Sequence, residues 1–258
     1  YILTGTDINN CVNYDTVNIV SIDLPIIDIG EDLSICVGDS VQLNASGGEN
    51  YTWSPISFIS NINISNPFVN PVSPTQYFVL GTDNNGCSNI DSINISINQL
   101  PNISVSNDTS LCYGDTIKIF ANGGSTYQWL NSDSINNVNT NNPDIWPNNS
   151  SLYSVVVTND NNCSDTASIN ITVNQLPNVS AGNDQNICFG DTAQLNASGA
   201  TNYIWDNGVT SRSQVITPST SATITYSVVG TDINSCSGNA QVNITVNPLP
   251  NTGPIFHN

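Results

Sequence analysis

Apolar and polar residues alternate one by one along most of the chain. Val41, Leu43 and Ala45 interleave with Ser40, Gln42 and Asn44, and the same phase returns at Ile117, Ile119, Ala121 and at Ala193, Leu195, Ala197. A second alternating run reads Ile93, Ile95, Ile97, then Ile169, Ile171, Val173, then Val242, Ile244, Val246. Ahead of it comes a Tyr-x-Val strand at Tyr77 and Tyr153, with Tyr226 and Tyr1 in the matching places. A period of two is the signature of strands with one face buried. Gly47-Gly48, Asn85-Gly86 and the proline-rich stretch Pro67 to Pro74 supply the turns between them. No window carries a helical period. The pattern predicts short antiparallel strands packed as a small β-sandwich.

The pattern also repeats. Trp53, Trp129 and Trp205 are 76 positions apart, as are Cys36, Cys112 and Cys188, and the pairs Gly38-Asp39, Gly114-Asp115 and Gly190-Asp191. Cys11, Cys87 and Cys163 step by the same interval, and Cys236 follows slightly early. Leu-Pro recurs at Leu24-Pro25, Leu100-Pro101, Leu176-Pro177 and Leu249-Pro250. Fixed periods of this size mark tandem arrays. The expected organisation is the end of one repeat over 1–25, whole repeats over 26–101, 102–177 and 178–250, and the start of another segment over 251–258. The chain reads as a window on a longer array. One tryptophan per repeat, in register, is expected in each core. Trp146 breaks the register and is the candidate for an exposed ligand platform.

Composition narrows the function. Two Lys+Arg stand against 20 Asp+Glu, for a net charge of −18. That excludes recognition of nucleic acid through its phosphates and attraction to an anionic membrane. Asparagine is abundant while Lys118 is the only lysine, so codon drift toward Asn and Lys does not explain the bias. A long extracellular polymer offers two reasons to lack cations, resistance to trypsin-like proteases and like-charge repulsion that keeps neighbouring chains apart. The single histidine, His257, lies outside the repeats, and no nucleophile elbow, phosphate loop or H-E-x-x-H occurs. The chain is expected not to be an enzyme and to require no cofactor.

Seven cysteines without C-x-x-C argue for disulfides rather than zinc. The expected pairing lies within each repeat: Cys36 with Cys87, Cys112 with Cys163, Cys188 with Cys236, and Cys11 with a partner upstream. Such bridges imply an oxidising, extracellular destination and add about 4 kcal/mol each on the chain-entropy argument. A bridge of this kind would bring Asp32, Asp108 and Asp184, four residues before the first cysteine, close to the acids before the second, Asp83 and Asp232. Oxygen ligands at a junction suit calcium, so these five are candidate metal ligands. The thirteen Asn-x-Ser/Thr sequons are close to chance for this composition. The triplet Asp-Ser/Thr-aliphatic exceeds chance and makes Thr16, Ser40, Ser92, Thr116, Ser134, Thr166 and Thr192 candidate O-glycosylation sites.

The string from Asp32 to Gly47, repeated as Asp184 to Gly199, followed by Tyr-x-Trp, Tyr-x-Val, Asn-x-Cys and Leu-Pro, resembles a known repeat. It is similar to the immunoglobulin-like and PKD-like repeats of giant secreted surface proteins of Bacteroidota, including gliding-motility adhesins. The second repeat departs at Ile119-Phe120-Ala121-Asn122. The resemblance implies tandem immunoglobulin-like sandwiches, type IX export, a cell-surface address and glycans on the triplets above. The expected function is a stalk or adhesin segment of an extracellular fibre, contacting surface polysaccharide or neighbouring fibre chains. The rivals are carbohydrate-binding modules of a secreted hydrolase and a subunit of a self-assembling filament.

Overall fold

The alternating runs at Ile93–Ile97, Ile169–Val173 and Val242–Val246 become strand, whereas the run from Val41 is strand only over Val41–Gln42 although Leu43 and Ala45 are buried as expected. A computed structural model describes residues 1–131 and 133–253, and every regular element among them is β. His257 and the last part of the segment expected from 251 lie outside the described residues. The chain divides into two compact units, Tyr1–Leu100 with Asn161–Cys163, and Pro101–Asp160 with Ser164–Asn258.

The first unit opens with an antiparallel hairpin, β1 (Ile2–Thr6) and β2 (Val12–Thr16), in the register Ile2 opposite Thr16. Six strands follow: β3 (Leu33–Cys36), β4 (Val41–Gln42), β5 (Asn50–Ser54), β6 (Phe68–Val69), β7 (Thr75–Thr82) and β8 (Ser88–Asn98). One sheet runs β3-β8-β7-β5, and β4 pairs with β6 in a second. The β3–β8 pair is parallel and the others are antiparallel. Inward residues of both sheets close one core of Ile27, Leu43, Trp53, Val69, Tyr77, Val79, Ile93 and Ile95. The alternation in β7 and β8 leaves Phe78 and Ile90 in solvent while Tyr77 and Ile93 are sealed.

The second unit holds two further sandwiches. The earlier has β9 (Ser104–Val105), β10 (Thr109–Cys112), β11 (Ile117–Lys118), β12 (Ala121–Asn122), β13 (Thr126–Trp129), β14 (Asp144–Ile145), β15 (Ser151–Thr158) and β16 (Ser164–Asn174). The later has β17 (Gln185–Cys188), β18 (Ala193–Asn196), β19 (Asn202–Trp205), β20 (Ser213–Ile216), β21 (Thr223–Thr231) and β22 (Ser237–Asn247). Their larger sheets, β10-β16-β15-β13 and β17-β22-β21-β19, repeat the order of the first sandwich. Each has its own core, around Trp129 and around Trp205. A short first strand parallel to the last strand, with Greek-key crossing between two sheets, makes these immunoglobulin-like β-sandwiches.

Candidate functional site

Two recurrent turns hold the cysteines, and both are set by local sequence. The first follows β3, β10 and β17. Cys36 O accepts the Asp39 amide at 3.0 Å, and Cys112 and Cys188 bind Asp115 and Asp191 alike. The glycine between them takes φ of 90–95° in all three copies, a left-handed conformation that costs a residue with a Cβ. Asp115 and Asp191 also accept the amides of Cys112 and Cys188 through their side chains, at 3.3 Å each.

The second turn joins β7 to β8 and β21 to β22. Asp83 Oδ1 accepts the amides of Asn85 (2.8 Å) and Cys87 (2.9 Å), while the Asp83 amide donates to Cys87 O. Asp232 binds Asn234 and Cys236 in the same way, and Asp7 binds Asn9 and Cys11. An aspartate that caps its own hairpin explains Asp-x-x-x-Cys without any ligand. In the middle copy Asn159 stands in its place.

These turns sit at opposite ends of the same strand, and that overturns the expected pairing. Cys36 lies beside Asn98, the last residue of β8, whereas Cys87 immediately precedes Ser88, its first. Eleven residues of extended strand separate the two places by roughly 36 Å. A disulfide needs Cα atoms within about 7 Å. Cys112 with Cys163 and Cys188 with Cys236 are kept apart by β16 and β22 for the same reason. The bonds formed are Cys36–Cys163 and Cys112–Cys236, with Cα atoms 5.6 and 5.5 Å apart. In each, the first cysteine of one repeat joins the second cysteine of the next. Cys11, Cys87 and Cys188 are free thiols.

The expected meeting of acids fails with the pairing. Asp32 Oδ1 accepts the Asn94 amide at 2.8 Å, and Asn94 Nδ2 donates to its other oxygen at 3.0 Å, midway along β8. Asp108 and Asp184 take the amides of Asn170 and Asn243. Asp83 and Asp232 remain in the hairpin turns, eleven positions before Asn94 and Asn243, so the two sets do not converge. Among the described residues no group of three His, Cys, Asp or Glu side chains is placed to hold a metal ion. The bonds from Asn94 keep the Asp32 carboxyl below its ordinary value. Desolvation pushes Asp83 upward, but hydrogen bonds from Cys87, Asn85 and Gly86 outweigh it and leave that carboxyl lowered too.

The tryptophans divide cleanly. Trp53, Trp129 and Trp205 are buried, and each indole Nε1 donates to a backbone carbonyl, of Ile64, Thr140 and Ser211. Trp146 is 42% exposed. Sequence reasoning missed a second exposed pair, Phe58 and Phe68, which share a shallow groove with Ser40, Ser60 and Asn70. Phe58 is held at φ 59°, and its carbonyl accepts the Asn70 amide. No aromatic periodicity marks this pair, because its equivalents in the next repeat are Ser134 and Asp144. Among the triplet hydroxyls, Thr16, Ser40, Thr116, Thr166 and Thr192 are exposed, and Ser92 and Ser134 are half-buried.

No protein-family model matches the chain, and no curated protein does. Among solved structures, the I-band fragment I67-I69 from titin is similar over 89% of this chain and 100% of its own, at 12% identity and a TM-score of 0.43. The insect immune protein hemolin matches 86% of this chain and 76% of its own, at 15% identity and a TM-score of 0.35. The N-terminal eight immunoglobulin domains of the Down Syndrome Cell Adhesion Molecule match 88% of this chain and 41% of theirs, at 14% identity and a TM-score of 0.31.

Proposed function

We propose that this chain is a non-enzymatic, covalently reinforced segment of an extracellular fibre, serving as a stalk or adhesin. The observation that carries the reading is the bonding of each repeat to the next rather than to itself. A within-repeat bridge stabilises a module, whereas a bridge between successive repeats shortens the covalent path along the array. Between Ile26 and Pro177 the backbone runs 151 steps, but through Cys36–Cys163 only 24. At about 3.3–3.6 Å per extended residue, the oxidised path saturates near 80–86 Å and the reduced one near 500–540 Å. Pulling on handles at those two positions should give almost no unfolding extension until reductant is added, and long steps afterwards. Long steps in the oxidised chain would refute the mechanical role.

Disulfides of this kind belong to oxidising compartments, and the repeat's resemblance to secreted adhesins supports the same address. Surface polysaccharide or neighbouring fibre chains are the contacts this reading expects, and the net charge of −18 opposes close packing with chains of the same kind. A second reading, carbohydrate recognition, draws on exposed Phe58, Phe68 and Trp146. It requires glycan binding that disappears in Phe58→Ala/Phe68→Ala or in Trp146→Ala.

A further inference from the structure

The three free thiols occupy the same two turns as the bonded ones. Cys188 ends β17 as Cys112 ends β10, with the same glycine conformation and the same aspartate contact at 3.3 Å. Cys87 sits in the same aspartate-capped hairpin as Cys236. Burial separates them. In the hairpin turn, bonded Cys163 and Cys236 have no exposed surface while Cys87 is partly exposed, and at the strand end bonded Cys36 and Cys112 are partly exposed while Cys188 is exposed. Cys236 Sγ also lies 4.0 Å from Asn174 O, the carbonyl of the residue paired with Cys112, so the hairpin cysteine is covered by the strand end it bonds.

Twice in one chain, then, a strand-end cysteine bonds the hairpin cysteine of the following repeat. We infer that Cys188 and Cys87 are the open ends of this bonding pattern and take as partners cysteines of further repeats of this same type. Cys188 takes a cysteine in an Asp-x-x-x-Cys hairpin, and Cys87 takes one ahead of a Gly-Asp turn. The inference stands on the bonding geometry and does not depend on the fibre role.

Continued in this way, the bonds form two interleaved tracks. From Cys163 to Cys188 is 25 residue steps, through β16, the Leu176-Pro177 linker and β17. From Cys87 to Cys112 is 25 as well, through β8, Leu100-Pro101 and β10. Each track therefore alternates a disulfide with one last strand, one linker and one first strand, while the strands between lie off the covalent path. Each bond forms when two thiols lose two protons and two electrons. A low-molecular-weight disulfide such as oxidised glutathione accepts them and leaves as two thiols.

The test extends the full chain at Pro250 with a second copy of residues 26–101, in place of 251–258, and folds it in a glutathione redox buffer. Peptide mapping without reduction should find Cys188 joined to the added copy's Cys87. Two cysteines are added and one more bridge forms, so the thiol count should stay at the three of the parent chain. Cys188→Ser in the extended chain should raise it to four, with Cys36–Cys163 and Cys112–Cys236 still present as proof of folding. A free, glutathionylated or otherwise paired Cys188 overturns the inference, as does a thiol count of two in the Cys188→Ser variant, which would mean that the added copy's cysteine bonds without Cys188.

Discussion

Cys36 and Cys87, members of one repeat, stand at the two ends of the eleven-residue strand β8. The cause is the parallel pairing of β3 with β8. A first strand that ran antiparallel would bring its last residue back toward the hairpin, but a parallel one carries it to the strand's far end, where the chain leaves the repeat.

Removing a bonded pair and removing an unbonded cysteine should therefore have opposite consequences. Cys36→Ser/Cys163→Ser deletes a bridge closing 127 positions, worth at most about 5 kcal/mol on the chain-entropy argument. Its thermal transition should fall by several degrees. Cys87→Ser should leave the transition in place. Within-repeat bridges would make Cys87→Ser damaging as well, so a lowered transition in that variant would contradict the observed pairing.

Much of this fold was legible in advance, and the illegible part has a definite physical source. Alternation at Tyr77, Val79, Ile93 and Ile95 requires a buried strand face, and those residues are sealed. A tryptophan in register with that alternation must be core, as Trp53 is. Spacing along the chain says nothing of strand direction, however. Cys36 and Cys87 look like natural partners on spacing, and only the parallel register of β3 places them far apart. The expected approach of Asp32 to Asp83 and of Asp184 to Asp232 rests on the same spacing and fails for the same reason. Phe58 and Phe68 went unnoticed because a feature present in one repeat leaves no period.

Gly199 has φ +92°, and a Cβ there would overlap the carbonyl oxygen of Asn178. Gly47 and Gly123 press on Ile26 and Asn102 in the same way, so this glycine seats each repeat's entering segment. Gly199→Ala should destabilise the third sandwich by roughly 2–3 kcal/mol, from left-handed strain plus displaced backbone. Gly208→Ala is the control, since φ is +81° but no atom lies within 4 Å. It should cost only about 1–2 kcal/mol. Equal losses in denaturant titrations would show that the contact with Asn178 does not matter.

Acid should weaken the chain in a defined window. Asp32 and Asp83 have carboxyls held below the ordinary value of 3.8 in the folded state. A lowered folded value means stability that is complete above the unfolded value and lost as pH falls through the folded one. Asp32→Asn should be less stable than the parent at pH 7, and that gap should close by pH 2. A gap independent of pH would remove the carboxylate from the account. At the other extreme, burial raises the phenols of Tyr77 and Tyr153 above 10.0, with the Asp133 charge adding to it at Tyr153. The stability they contribute is present below pH 10 and lost as pH climbs through their folded values.

Glycan placement should follow the geometry of the turns. Ser40, Thr116 and Thr192 each directly follow a Gly-Asp pair, beyond the end of β3, β10 or β17, and all three are exposed. Ser92 lies within β8, half-buried, with its hydroxyl taking a hydrogen bond from Gln76 Nε2 at 3.2 Å, and Ser134 is half-buried as well. A transferase acting on folded protein needs a hydroxyl clear of the sheet, with backbone on both sides accessible. Site-resolved mass spectrometry of native material should therefore find Ser40, Thr116 and Thr192 occupied ahead of Ser92 and Ser134, and ahead of the sequon residues Asn44 and Asn196. Because these hydroxyls lie four residues past Cys36, Cys112 and Cys188, the sugars would stand beside the cross-repeat bonds and hinder reductants there. Enzymatic removal of the glycans should then speed reduction of Cys36–Cys163 and Cys112–Cys236. Unmodified hydroxyls at all three turns, or a reduction rate indifferent to deglycosylation, would separate the glycans from the bridges.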